Sequence, residues 1–199
     1  MTAAGSAHRT LALHEWHLVG PDGLPAKHHT VHVLRSLRAG LTSYTYRFDS
    51  RDARVRMIRG ARAGAPTVDE HGLTAVELEF PHPLAVGETV SLEYETVFAW
   101  QSIPPPQVRR AARQRVERVD MRVAFSPGRL PAEVFWGVWD GYGADASLRA
   151  AERVSLDHEH AAHRFIDELD GVTVGFTWSW PPGQEPRLAE DVDTVVPGG

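Results

Sequence analysis

The chain has 199 residues, of which 42% are hydrophobic and 24% are charged, and this composition is typical of a globular protein with a single core. It contains no cysteine, which excludes disulfides, thiolate metal sites and a cysteine nucleophile. The formal net charge of −5 argues against a chain built to coat nucleic acid, and the short apolar runs predict no membrane span. We therefore expect a cytoplasmic location and no membrane partner.

The sequence divides into three parts. Residues 1–8 are small and polar and predict a disordered N-terminus. Residues 9–181 predict a single β-sandwich domain. Residues 182–199 are rich in proline, glycine and acidic residues, so we expect a flexible acidic tail there.

Apolar and polar residues alternate along most of residues 9–181, which is the pattern of half-buried strands. In chain order the clearest segments are SYTYRF (43–48), RVRMI (54–58), TAVELEF (74–80), TVSLEYETVFAW (89–100), ERVDMRVAF (117–125), EVFWGVW (133–139) and GVTVGFTWSW (171–180). The segment QVRRAARQRVER (107–118) has helical propensity but no apolar stripe, so we predict a strand that continues into residues 116–125. The sequence thus predicts an all-β fold, an antiparallel β-sandwich or flattened barrel of about ten strands with little helix.

Arginine is concentrated in two stretches of the chain. Eight arginines and two acidic residues lie between Arg35 and Arg62, and residues 107–118 add five arginines and one acid. Such a surface either binds anions or is a solvated strand face paired with acidic neighbours, and the second interpretation is favoured because isolated charge runs are usually solvated. No segment predicts a recognition helix, so we expect no specific nucleic-acid binding by this chain alone.

Three histidines lie close together in LDHEHAAHRFIDELDG (156–171). On a strand, His158 and His160 point to one face and His163 to the other, so regular structure does not bring three imidazoles together. The pattern is similar to the cupin metal motif, but Arg164 and Phe165 stand where that motif requires a glutamate. We therefore predict no bound metal and no cofactor.

A second histidine-rich segment, KHHTVH (27–32), puts His28 and His32 on one strand face. If the prediction of no metal is wrong, the candidate ligands are His158, His160, His28 and His32, with two imidazoles on each of two neighbouring strands. The sequence does not identify a catalytic residue.

Five large aromatic residues on three predicted strands are the candidate ligand-binding residues, and their alternation predicts that they point to one interior. They are Tyr94, Phe98, Trp136, Phe176 and Trp178. Either they fill the core, or they line a cavity for a small apolar or planar molecule with arginines at its mouth. We favour the cavity, because EVFWGVW has large residues on both faces and they cannot all share one packed layer.

The chain between Leu11 and Trp180 carries four segments that resemble one known family. They are HLVGPDGLPAKHHTVHVLRSLRAGLTSY, GLTAVELEFPHPLAVGETVSLEYET, RVDMRVAFSPGRLPAEVFW and AHRFIDELDGVTVGFTWSW. Together they are similar to the C-terminal, non-DNA-binding all-β domain of actinobacterial helix-turn-helix transcriptional regulators of the Xre/Cro type, here as a stand-alone chain. The resemblance implies a role in sensing or interaction. Residues before position 9 are too few for a helix-turn-helix, so DNA binding through that element is not expected.

Three functional hypotheses follow. The first is a non-enzymatic module for small-ligand binding or regulatory interaction, whose partner is a small apolar or planar molecule or another protein. The second is a small cofactor-free enzyme, a cyclase or isomerase of actinobacterial natural-product biosynthesis, that uses the aromatic-lined cavity. The third is a dimerising protein that uses sheet edges, and a homodimer is compatible with the first as well. An enzyme requires a titratable pair in its cavity, whereas a binding module requires only shape and polar anchors.

Overall fold

The structure, a computed structural model, describes residues 6–48, 53–69, 73–112, 114–141 and 146–188. These residues form fourteen β-strands and no helix. The strands are β1 (His8–Val19), β2 (Pro25–Ser36), β3 (Leu41–Phe48), β4 (Arg54–Arg59), β5 (Arg62–Ala63), β6 (Thr67–Val68), β7 (Thr74–Leu84), β8 (Thr89–Val97), β9 (Gln107–Ala112), β10 (Val116–Phe125), β11 (Glu133–Asp140), β12 (Ser147–Val154), β13 (Ala161–Leu169) and β14 (Val172–Ser179).

The strands assemble into three sheets. A six-stranded sheet has the order β13-β10-β1-β2-β8-β4. A four-stranded sheet, called here the C-terminal sheet, has the order β12-β11-β14-β9, and an N-terminal sheet has the order β3-β7-β5 with β6 also paired to β7. The pairs are antiparallel except for β1 and β10, which run parallel with Leu13 opposite Val119.

The two smaller sheets cover the same face of the six-stranded sheet, each over its own half. The C-terminal sheet packs on β13, β10 and β1, where Val119, Met121 and Phe125 belong to the first hydrophobic cluster. The N-terminal sheet packs on β2 and β8, where Leu34 and Leu92 belong to the second. The protein therefore has two cores rather than one, because two sheets share one large platform.

The opposite face of the six-stranded sheet is exposed and carries charged pairs. Glu95 on β8 binds Lys27 and Arg56 on the neighbouring strands, and Glu93 binds His29 and Arg59 in the same way. These contacts agree with the interpretation of the arginine-rich 35–62 stretch as a solvated strand face with acidic neighbours.

The all-β prediction is confirmed. Residues 107–112 form a strand as predicted, but this strand does not continue into 116–125, because β9 belongs to the C-terminal sheet and β10 to the six-stranded sheet. The strand number is higher than predicted, partly because β5 and β6 are only two residues long. β1 begins at His8 and β14 ends at Ser179, while most of the two predicted flexible ends (1–5 and 189–199) lies outside the described residues. Within the described part of the chain, no helix has the length and apolarity needed to cross a membrane.

Candidate functional site

A polar cluster lies where the two cores meet, at the seam between the N-terminal and C-terminal sheets. Inward-facing positions of β1 and β2 are polar here, although apolar residues occupy the same face on both sides: Glu15 and His17 stand between Leu13 and Val19. Edge strands β9 and β3 of the two smaller sheets add side chains from above. The seam cluster consists of Glu15, His17, His28, Thr30, His32, Tyr44, Tyr46, Tyr94, Thr96 and Arg110.

An ion pair between Glu15 and Arg110 joins the six-stranded sheet to the C-terminal sheet. The guanidinium Nη1 lies 3.1 Å from Glu15 Oε1, and the two side chains are 20% and 2% exposed, respectively. Burial by itself raises the pKa of the Glu15 carboxyl, but Arg110 and the nearby His28 outweigh it, so the pKa lies well below its ordinary value. Burial by itself lowers the pKa of Arg110, but the attraction of the Glu15 carboxylate outweighs this effect, so the pKa lies above its ordinary value. Both groups are therefore charged inside the protein.

His28 connects this ion pair to the N-terminal sheet. Its Nε2 lies 3.5 Å from Glu15 Oε1 and 3.1 Å from Thr30 Oγ1. Its Nδ1 lies 3.4 Å from the Tyr46 hydroxyl, which accepts a hydrogen bond from Thr96 at 3.2 Å. If Tyr46 donates to Nδ1, the Nε2–H of His28 points towards Glu15 and Thr30. The imidazole is thus held on both sides by groups from different strands.

His17 and His32 are held as neutral imidazoles in the seam. The His17 ring stacks on His28 at a centroid distance of 4.0 Å and an interplanar angle of 13°, as expected of residues directly opposite on β1 and β2. Burial lowers the pKa of both histidines well below the ordinary value, with His28 adding to the effect at His17 and Arg110 at His32. His17 is only partly buried as a residue, but its Nε2 is shielded from solvent and has no hydrogen-bond partner among the described residues.

Three members of the seam cluster form a metal-type donor set. One nitrogen or oxygen atom from each of Glu15, His17 and His28 lies within 4.8 Å of the other two. Of the four histidines that the sequence offered as ligands, only His28 belongs to this set. His32 lies four residues further along β2 in the same seam, with Thr30 between them. Within the described chain, no other histidine, aspartate and glutamate side chains meet in this way.

The interpretation of His158 and His160 as strand residues is wrong. The side chain of Asp157 accepts hydrogen bonds from the backbone N–H groups of Glu159 and Ala161, which closes a turn before β13 begins. His160 adopts a positive φ of 59° in this turn. This turn leads into β13, and β10 and β1 lie between β13 and β2 in the six-stranded sheet. His158 and His160 are therefore kept apart from His28 and His32.

The five predicted ligand-binding aromatics do not share one interior. Trp136, Phe176 and Trp178 lie in the core under the C-terminal sheet, with the Trp136 and Phe176 rings 4.9 Å apart. Tyr94 and Phe98 lie in or against the core under the N-terminal sheet. The prediction of a single aromatic-walled interior is wrong, because alternation shows which face a residue takes but not which sheet covers that face.

One of these aromatics, Trp136, lines an open groove of about 420 Å³ at the edge of the molecule. The groove lies where edge strand β12 of the C-terminal sheet meets edge strand β13 of the six-stranded sheet. Trp136 and Val138 line it together with residues 150–152 of β12 and 164–166 of β13. Arg164 and Ile166 take the inward face of β13, because they pair with the buried Met121 and Val119, whereas Phe165 takes the outer face of the sheet. Arg164 binds Glu152 across the groove. The groove therefore offers aromatic and aliphatic surface next to a surface cation.

Sequence analysis missed Glu15, His17 and Arg110 as site residues. The signal was present, since each occupies an inward position in an alternating segment: Arg110 lies between Val108 and Ala112, which are both buried. A polar residue at an inward position predicts a buried polar contact. Its partner was not predictable, because β9 and β1 belong to different sheets.

Comparison with known proteins identifies the fold but not a family. No protein-family model and no curated protein matches the sequence significantly. The chain is similar to the crystal structure of a proposed protease from Parabacteroides distasonis, with a TM-score of 0.55 and 10% identity over 89% of this chain and 41% of that one. It is less similar to the M1 zinc metallopeptidase from Deinococcus radiodurans, with a TM-score of 0.39 and 10% identity over 86% and 39%. The chain thus spans about two fifths of the length of these structures. The similarity to the first structure shows only that the fold is shared.

Proposed function

We propose that the chain is a non-enzymatic binding module that holds a small apolar or planar molecule with an anionic group in the groove between β12 and β13. The observation that carries the proposal is the position of Trp136 and Ile166 in this groove beside Arg164. Small-ligand sites are concave, largely apolar and supplied with a few polar groups that fix orientation.

The dimensions and chemistry of the groove support this ligand class. A volume of about 420 Å³ lies within the range of pockets that hold small molecules. Trp136, Val138 and Ile166 offer apolar surface, and burial of such surface on binding is favourable. Arg164 is the cation that recognises the anionic group of the ligand. This group competes with the Glu152 carboxylate for the Arg164 guanidinium.

The lining of the groove favours binding over catalysis. The described residues that line it include no histidine, serine or tyrosine, and its one acidic group is paired with Arg164. The alternative, a cofactor-free cyclase or isomerase, is supported only by the Glu15–His28 pair in the seam. That pair does not line the groove, so the binding module remains the preferred proposal.

A regulatory role is part of the same proposal. The similarity in fold to about two fifths of a longer chain supports the idea that this fold serves as a module. The resemblance to the sensor domains of helix-turn-helix regulators supports a role in which ligand binding changes contact with a protein partner or a second copy. A cytoplasmic location and the lack of specific nucleic-acid binding, both expected from the sequence, complete the proposal.

The probe 8-anilinonaphthalene-1-sulfonate combines a planar aromatic system with an anionic group and tests the groove directly. We expect saturable fluorescence enhancement with about one site per chain, together with a raised melting temperature, because a ligand of the folded state stabilises it. The Ile166→Ser variant is expected to bind about tenfold more weakly, since roughly 1.4 kcal/mol of apolar contact is lost. The Arg164→Gln variant is expected to weaken binding by a similar factor through loss of the charge-assisted contact.

Arg153→Gln is the matched control for this experiment. Arg153 lies on the neighbouring edge strand β12, outside the groove lining, and its guanidinium is 3.6 Å from Glu133. The control removes the same charge and should keep the affinity of the parent protein. Equal binding by the parent, Ile166→Ser and Arg164→Gln proteins, or no saturable binding at all, would show that the groove is not the site.

A further inference from the structure

We infer that the seam cluster is a transition-metal site in which Glu15, His17 and His28 bind one divalent ion of the zinc type. This inference concerns a different part of the molecule from the groove and does not depend on it. Two imidazoles and one carboxylate are a common ligand set for zinc and for neighbouring first-row metals, with further coordination positions left open.

The strands hold the three residues close together before a metal binds. Glu15 and His17 are two residues apart on β1 and share the inward face. His17 and His28 are paired directly across β1 and β2. Their rings are nearly parallel, so one imidazole rotates about its side-chain torsions before both nitrogen lone pairs point to one ion. Because both strands lie in the middle of the six-stranded sheet, with neighbours on both sides, backbone pairing on two edges fixes the point from which each side chain starts.

The hydrogen-bond partners of the two imidazoles are compatible with metal binding. The shielded Nε2 of His17 has no competing hydrogen-bond partner among the described residues. His28 binds through Nε2 once its proton moves to Nδ1, and Nδ1–H then donates to the Tyr46 hydroxyl 3.4 Å away. Such a hydrogen bond on the remote nitrogen is the usual support of a metal-binding histidine.

The donor set also predicts which ions are selected. Two nitrogen ligands and one oxygen favour Zn²⁺, Co²⁺ or Ni²⁺ over Mg²⁺ and Ca²⁺, which require oxygen ligands. Arg110 opposes binding, because its guanidinium is 3.1 Å from Glu15 and repels a second cation there. Removing this charge should therefore tighten metal binding, which is the opposite of what loss of an ordinary structural contact does.

The test measures metal binding by the full chain, purified without a histidine tag. After dialysis against micromolar ZnCl₂, we expect about one Zn²⁺ per chain in the parent protein, as set by one three-ligand site. His17→Gln should lose this ion. Arg110→Met should bind Zn²⁺ at least tenfold more tightly than the parent. MgCl₂ at the same concentration should give no stoichiometric binding.

His163→Asn is the matched control, because the exposed histidines of the chain also attract metals weakly. His163 lies on the outer face of the six-stranded sheet, where it binds Asp120 together with His14. Its replacement should leave the stoichiometry unchanged. Should His17→Gln fail to fold, NMR spectra of the histidine ring nitrogens in the parent protein decide the question: Zn²⁺ should shift the signals of His17 and His28 but not of His163. Less than about 0.1 Zn²⁺ per chain, weaker binding by Arg110→Met, or shifts confined to the outer face would overturn the inference.

Discussion

Replacement of Arg110 by methionine is expected to lower the free energy of unfolding by about 3–5 kcal/mol, because a buried carboxylate is left without its counter-charge. Glu15 is almost completely buried, and Arg110 is the only cationic partner of Glu15 that the described residues provide besides the histidines. Thermal unfolding in metal-free buffer at pH 7 should show a fall in melting temperature of roughly 6–20 °C for a chain of this size.

A double variant separates loss of the ion pair from loss of packing. Glu15→Leu together with Arg110→Met replaces both charges by apolar side chains, and such replacements of buried pairs are often neutral or stabilising. We therefore expect the double variant to regain most of the stability that Arg110→Met loses. If Arg110→Met alone is as stable as the parent, or the double variant is the less stable of the two, the charged pair does not have the role described.

Stability is also expected to fall steeply as the pH decreases below about 6.5. His17 and His32 have folded-state pKa values well below the ordinary value of 6.5, so below that pH the unfolded chain binds protons that the folded protein does not. Each such histidine lowers the free energy of unfolding by up to about 1.4 kcal/mol per pH unit, or about 2.7 kcal/mol for the two together. Glu15, whose folded pKa is depressed, adds a further loss only below its unfolded value of 4.5.

Urea unfolding between pH 7.5 and pH 5 at constant ionic strength measures this slope. His32→Asn should reduce the slope by about half, since one of the two differential protons is removed. His163→Asn, on the exposed outer face, should leave the slope unchanged. A flat profile between pH 6.5 and pH 5 would contradict the prediction that His17 and His32 stay unprotonated in the folded protein.

Most of the longer strands were predictable because each carries its own signal, whereas β12 is exposed along almost its whole length and shows no alternation. In β10 the buried residues Val119, Met121, Val123 and Phe125 alternate with polar residues, and the pattern needs no knowledge of the partner strands. The three-sheet arrangement was not predictable in this way. Which sheet covers a given inward face depends on pairings such as that of β1 with β10, and the sequence contains no local signal for a contact between residues so far apart.

The same limit explains the outcome for the candidate sites. His28 was identified as a candidate ligand, because its segment alone shows that it shares a face with His32. Its actual neighbours Glu15 and His17 come from another strand, and Arg110 comes from another sheet. The groove between β12 and β13 depends on two edge strands that are not paired with each other, and edge positions follow from topology rather than from composition.

The parallel pairing of β1 with β10 has a consequence for synthesis of the chain. Leu13 cannot meet Val119 until the second strand leaves the ribosome, and at about 5–20 residues per second this takes several seconds. During that interval one edge of β1 is open, and open apolar edges are sites of aggregation. Glu15 and His17 interrupt the apolar face of β1 at its middle. We expect these two residues to protect the nascent strand from intermolecular pairing, so that the same polar residues which form the seam also keep the unfinished sheet from associating with its neighbours.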